Sequence, residues 1–291
     1  MAERTAPAPF ALSHQMPELG PLDGARVLVN VVVNLEHWTL DAPMPRAALP
    51  APQGVSVVPD VANHSWVLYG LRAGLPRLAA ALAPLGTAVT VALNADVIDH
   101  YPQVAELVAD LGWDVIGHGV RQRSIQTYDD EAPVIAEALD RIAERFGRPR
   151  GWLSPGMSQT DDSLRLLREH GVEFGHDWMI DDRPVWLETS AGPIVGLPYT
   201  LALNDVTTYV VQHQPDGSLA DRTLRSLVVH GAEAARNPVV VPIGLHPHVM
   251  GVAHRIGEIE TIVDAVNGAE GVAPFTSSQV HDWFVGQVPA P

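Results

Sequence analysis

The sequence predicts an α/β protein in which about seven mainly parallel strands curl into a closed or nearly closed β/α barrel. Three observations lead there. Short apolar runs alternate with amphipathic helical patterns from residue 26 onward, as in a parallel sheet with helical crossovers. The first run, residues 26–34 (RVLVNVVVN), is almost continuously apolar and β-branched, as suits a strand covered on both faces. Glu36, Asn94, His118, Ser154, Asp177, Tyr199 and His246 each stand at or just past the C-terminal end of a predicted strand. In a barrel those ends share one rim, where chemistry is built. An open doubly wound sheet is the alternative.

The elements follow in order. Residues 1–25 are rich in Pro, Ala and Gly and read as an extended arm, either unstructured or packed on a neighbouring subunit. After the first strand, residues 41–62 hold five prolines and read as a long irregular loop, a kind more often functional than idle. Residues 74–85 are helical, and residues 87–93 form a strand ending at Asn94. Pro102 opens a helix with Val104, Leu107, Val108 and Leu111 on one face, and Gly112 ends it. The strand 113–116 then runs into Gly117-His118-Gly119. An imidazole between two glycines at a strand end is either a reactive group or a loop cap bonded to a carbonyl. Residues 131–146 are a helix, 151–154 a strand, and Asp161 or Asp162 can cap the helix of Leu164 and Leu167. Strands at 172–176 and 192–197, a helix at 219–235, a strand at 238–245 and helices around 256–266 and 277–284 complete the chain.

A chain of 291 residues with 46% hydrophobic and 18% charged residues is globular and long enough for a substantial core. No linker divides it, so residues 26–291 are expected to form a single barrel domain behind the arm. The net charge of −16 excludes a bare phosphate backbone as partner, because binding one needs clustered Lys and Arg. With no cysteine there is no disulfide, thiolate metal site or cysteine nucleophile. The N-terminus shows no basic region followed by an apolar run, and no apolar stretch approaches the ~20 residues that span a bilayer. A cytoplasmic protein is therefore expected, without membrane or nucleic-acid partner, and the Pro-rich arm is compatible with a homo-oligomer.

Several local motifs carry a resemblance. They are Asn34-Leu35-Glu36, the turn Tyr69-Gly70-Leu71-Arg72-Ala73-Gly74, Gly117-His118-Gly119 and Arg148-Pro149-Arg150-Gly151-Trp152. Asp181-Asp182 with Pro184 and Trp186, Pro198-Tyr199-Thr200, Asn204-Asp205 and Ile243-Gly244-Leu245-His246 complete the series. In this order and spacing, over residues 26–285, the chain resembles the polysaccharide deacetylase (NodB-homology) superfamily, in its allantoinase-like and cyclic-imide-hydrolase-like branch. The resemblance implies a distorted, incomplete β/α barrel and hydrolysis of carbon–nitrogen bonds in a small-molecule amide, cyclic or N-acyl.

The departures bear on metal. Metal-dependent members of that superfamily carry an aspartate pair on the first strand and a His-x-x-x-His spacing. Here the first strand supplies Glu36, and Gln122 stands four residues after His118. A carboxamide is a poor substitute for imidazole on zinc. The branch it resembles also lacks the second histidine and works without metal, so the resemblance implies no cofactor; the alternative is one zinc ion held by Glu36, His118 and His246. The arginine that the branch usually places after Trp152 is also missing.

Amide hydrolysis needs an activated water, a stabilised oxyanion and a proton for the leaving nitrogen. By resemblance, Glu36 is the expected general base, and His118 and His246 supply acid catalysis or polarise the carbonyl. Asp177 or Asp182 would orient an imidazole. Arg72 would bind substrate through its planar fork. Trp152 would wall the pocket, with Trp38, Trp178 and Trp186 as further walls, and Tyr199 and Asn204 would donate hydrogen bonds. Of His246-Pro247-His248, only His246 is assigned to the site. Two rival readings are a metal-dependent deacetylase of N-acetylated sugars and an inactive barrel with a binding role.

Overall fold

The computed structural model describes residues 6–51, 54–55 and 58–291. Residues 1–5 of the arm and 52, 53, 56 and 57 of the long loop lie outside the described residues. The strands are β1 (Val27–Leu35), β2 (Val89–Leu93), β3 (Asp114–Gly117), β4 (Gly151–Trp152), β5 (Phe174–Gly175), β6 (Val185–Leu187), β7 (Ile194–Gly196), β8 (Val239–Leu245) and β9 (Val272–Pro274). The sheet order is β6-β7-β5-β4-β3-β2-β1-β8. All pairings are parallel except β6 with β7. β9 pairs with Val27–Val29 of β1, on the edge that β2 takes from Val31 onward. The sheet curls strongly into a half-barrel. Beyond β8 irregular backbone meets the last strand: Val240 N donates to Asp182 O, and Gly244 N to Leu203 O. This is the distorted, incomplete barrel that the resemblance implies, and it agrees with the barrel expected from alternation and strand-end polarity.

The helices are α1 (Val61–Tyr69), α2 (Leu75–Leu82), α3 (Asp96–His100), α4 (Pro102–Leu111), α5 (Ala132–Phe146), α6 (Ser163–Glu169), α7 (Ser218–Glu233), α8 (Pro247–Met250), α9 (Ile256–Gly268) and α10 (Ser277–Val285). Strand pleating splits β1 between two cores. Val27, Val29, Val31, Val33 and Leu35 pack outward with Leu75 and Leu78 of α2 and Ile259 and Val263 of α9. Leu28 and Val32 turn inward with Ala92, Ile116, Leu153, Phe174 and Val240. Each such buried side chain contributes about 1.5–3 kcal/mol. α10 plugs the floor of the barrel. Its Val280, Trp283 and Phe284 join the inner core, Ser277 N donates to Thr90 Oγ1 and Ser278 N to Asp114 Oδ2. The C-terminal rim of the strands lies at the other end of the barrel and is open as a cavity.

Three features differ from the sequence reading. β6 and β9 bring the strand count to nine; each spans three residues beside Pro or polar turns, too short to show a period-2 pattern. α1 occupies part of the stretch read as loop, held by the buried Asn63, whose Oδ1 accepts from Ala48 N and Leu49 N. The described part of the arm packs on the chain's own barrel: Pro7 O accepts from Glu188 N, Asn237 Oδ1 from Leu19 N, and Gly20 O from Trp283 Nε1.

Candidate active site

The rim carries one cavity of about 890 Å³, within the range of small-molecule sites. Glu36, His118, Ser154, Tyr199, Asn204 and His246 all line it. Strand register puts them there. β1 ends at Leu35, β3 at Gly117 and β8 at Leu245, so the next residue of each, Glu36, His118 and His246, lies on the same rim. Asn94, just past β2, clamps two of these loops: its Oδ1 accepts from His37 N at 2.9 Å, and its Nδ2 donates to His118 O. Gly117 is required at its place because the Trp152 ring lies 2.6 Å from where a Cβ would stand.

Glu36 is buried at the centre. Its Oε1 lies 3.5 Å from His246 Nε2 and 3.7 Å from His118 Nε2, and its Oε2 accepts from Trp38 Nε1 at 2.6 Å. Burial alone would raise its pKa, but His118 and His246 outweigh burial and hold the carboxyl well below the usual range. His118 Nδ1 lies 2.5 Å from Leu153 O. A carbonyl only accepts, so Nδ1 carries a proton and donates it to Leu153, which leaves Nε2 turned toward Glu36. That Nε2 is buried and has no hydrogen-bond partner.

His246 is held differently. Its Nδ1 lies 2.6 Å from Asp205 Oδ1, and its backbone N donates to Asp205 Oδ2 at 2.5 Å. Burial works against its charge, but Asp205 and Glu36 raise its pKa to about 10. His246 is thus an imidazolium between two carboxylates at neutral pH. His248 is the opposite case: burial, then repulsion from His246, lowers it to about 3. Its neutral ring meets Trp66 edge-on, centroids 4.5 Å apart. Tyr199 Oη accepts from Asn204 Nδ2 at 3.2 Å and Asn34 Nδ2 at 3.4 Å, and burial pushes its pKa up to about 12.

Several residues singled out in the sequence fall elsewhere. Among the described residues Asp177 bonds no imidazole; it accepts from Ser154 N at 3.1 Å and Gln159 Nε2 at 3.0 Å, and burial lifts its pKa to about 6. Asp182 lies at the floor, its carbonyl bonded to the start of β8. Asp205 takes the orienting role instead; the Asn204-Asp205 motif marked it, but it is only the fold that brings it under His246. Arg72 is exposed on a π-helical turn, Gly70–Gly74, and does not line the cavity. Trp152 points to the outer core because the pleat sends Leu153 inward. Trp178 bonds Gln159, and Trp186 packs on Phe284. Trp38, Trp66 and His248 form the aromatic wall; nothing in the local sequence sets Trp66 or His248 apart from core residues.

The three residues considered for zinc face one another: Glu36 Oε1 lies within 3.7 Å of both imidazole Nε2 atoms. Among the described residues, the sets whose donor atoms all lie within 4.8 Å are His37–Asp96–His100 and Glu173–His281–Asp282. Glu36, His118 and His246 are not such a set; Asp205 holds Nδ1 of His246 and leaves its Nε2 directed at Glu36. The two sets that do meet the distance each contain a carboxylate already paired with arginine: Asp96 with Arg121 and Arg141, Glu173 and Asp282 with Arg150. Gln122 reaches the cavity, and its Oε1 is buried without a partner.

No family model matches the chain, and no curated protein matches it in sequence. Solved structures do. Puue allantoinase superposes with a TM-score of 0.84 at 22% identity, over 95% of this chain and 96% of that one. A protein described as a polysaccharide deacetylase from Pseudomonas aeruginosa PAO1 gives 0.81 at 25% identity, over 92% and 94%. Another so described, from Mycobacterium smegmatis, gives 0.75 at 20% identity, over 99% and 98%. The chain has the fold of the polysaccharide deacetylase (NodB-homology) superfamily, allantoinase-like proteins included, as its motifs indicate.

Proposed function

We propose that the protein is a hydrolase of non-peptide carbon–nitrogen bonds in a small cyclic or N-acyl amide. One observation carries the reading: the buried chain Asp205–His246–Glu36 opens into a cavity, with His118 Nε2 3.7 Å from the same Glu36 oxygen. Likeness in fold to an allantoinase and to proteins described as polysaccharide deacetylases supports it. In this reading a water between Glu36 and His118 attacks the amide carbon, and Glu36 takes its proton with His118 accepting a hydrogen bond. The His246 imidazolium faces the developing oxyanion and protonates the leaving nitrogen as the C–N bond breaks. The proton on Glu36 then restores His246, leaving a carboxylic acid and an amine. No step passes through a metal ion.

The test is product analysis with purified protein on cyclic imides, ureides and N-acyl compounds, with N-acetyl sugars as a separate arm. A new carboxyl group together with a released or ring-retained amine supports the reading. Acetate released only from the sugars would favour the deacetylase of N-acetylated sugars. Absence of any new carboxyl group across the panel would contradict both.

A further inference from the structure

The charge on the cavity wall is the reverse of the charge on the chain. The whole protein has 34 acidic and 18 basic residues, every basic one an arginine. Among the described residues the cavity is lined by one carboxylate, the buried Glu36, and by three arginines, Arg46, Arg121 and Arg123. Two loops bring them in: Arg46 from the segment after β1, Arg121 and Arg123 from the segment after β3. Arg123 is braced from outside, with its Nε and one terminal nitrogen on Thr127 and its guanidinium 4.0 Å over the Tyr128 ring. Arg121 spends its Nε on Asp96. Arg46 makes no ion pair or hydrogen bond among the described residues. A planar guanidinium with unused donors matches a carboxylate bidentately.

We propose that the substrate carries a carboxylate, bound at the cavity mouth by Arg46, Arg123 and Arg121, while its amide lies against Glu36, His118 and His246. This rests on the hydrolase reading for the amide end only. An acidic protein repels anions at long range, so a local reversal of sign at the mouth both admits the anion and fixes which end of the substrate enters first. The apolar wall of Trp38, Trp66 and Met157 then covers the body of the molecule. The substrate class is an amide of an amino acid or a carboxylated cyclic ureide, and not an uncharged ring or sugar amide.

The experiment uses matched pairs: N-acetyl-leucine against its methyl ester, and hydantoin-5-acetic acid against its methyl ester. Binding is titrated calorimetrically to E36Q, which leaves the mouth intact. The acid of at least one pair is expected to bind about tenfold tighter than its ester, and the preference to collapse in E36Q/R46Q and E36Q/R123Q; both arginines are exposed, so these variants should fold. Equal binding of acid and ester, a preference unchanged by either arginine substitution, or no binding by any probe would overturn the proposal. Turnover by the wild-type protein is read separately. Hydrolysis of acid and ester alike would keep the hydrolase and remove the anion site. Charge-selective binding without hydrolysis would keep the anion site and remove the hydrolase.

Discussion

Asp205 grips His246 twice, at the ring Nδ1 (2.6 Å) and at the backbone N (2.5 Å), with no exposure of its own. The contact fixes the rotamer of the imidazole, its tautomer and its charge together. It is the positional equivalent of the carboxylate in a triad, supplied here from the loop before a π-helical turn, Val206–Val211.

The pH dependence of turnover follows from that grip. His246, with a pKa near 10, remains the acid form up to that pH, so activity is expected to hold through neutral pH and fall as pH rises through about 10. Glu36 stays ionised well below its ordinary value of 4.5, so the acid limb lies lower still. In D205N the support for the imidazolium is lost, and the alkaline limb should move down toward the ordinary histidine value of 6.5, with turnover reduced about a hundredfold or more at neutral pH. An alkaline limb that does not move would contradict a proton-donating role for His246.

Stability carries the same signature. The folded pKa of His246 is raised, so its stabilising contribution is complete below 6.5 and lost as pH rises through about 10. Urea unfolding of the wild type compared with H246N between pH 7 and pH 10 should show the steeper loss in the wild type. Parallel slopes would mean that His246 is not charged in the folded protein.

Gly244 faces the barrel interior on β8, where a Cβ would run into the Tyr199 hydroxyl and stand 2.7 Å from Asn204 Nδ2. G244A is expected to displace both side chains, lower turnover at least tenfold and leave the helices intact by circular dichroism. Unchanged kinetics would remove Tyr199 and Asn204 from the site.

The two tryptophans Trp152 and Trp66 should separate cleanly. Trp152 is buried in the outer core against Gly117, so W152A should cost about 3–5 kcal/mol of stability, measured by urea unfolding, without selective loss of substrate affinity. Trp66 lines the cavity and is half-buried, so W66A should raise KM with a smaller stability loss.

The contrast between these residues marks what the sequence made legible. Strand ends were readable because the mainly apolar runs of β1, β3 and β8 each give way to a chargeable residue, and that transition located Glu36, His118 and His246. Which way a rim residue points was not readable in a strand of two residues such as β4, where one step of the pleat separates Trp152, turned outward, from Leu153, turned inward. Partners remote in sequence were hidden for the same reason: Asp205 and His246 are 41 positions apart, and only the irregular closure beside β8 brings them together. Asp177 followed the strand-end rule and still serves a loop, because Ser154 N and Gln159 reach its carboxylate.

Metal dependence has a direct expected outcome. Because the proposed chemistry runs through Glu36, His118 and His246 themselves, hydrolysis should survive exhaustive dialysis against chelator. Loss of activity on chelation, restored by one equivalent of zinc, would show that the three residues rearrange around an ion.

The measurement that bears most directly on the account is the steady-state rate of amide hydrolysis in wild-type protein and in E36Q and H118A, with circular dichroism and melting followed in the same samples. Turnover in the wild type, with a loss of a thousandfold or more in E36Q, about a hundredfold in H118A and both variants folded, is the predicted result. Wild-type rates in a folded E36Q would contradict it.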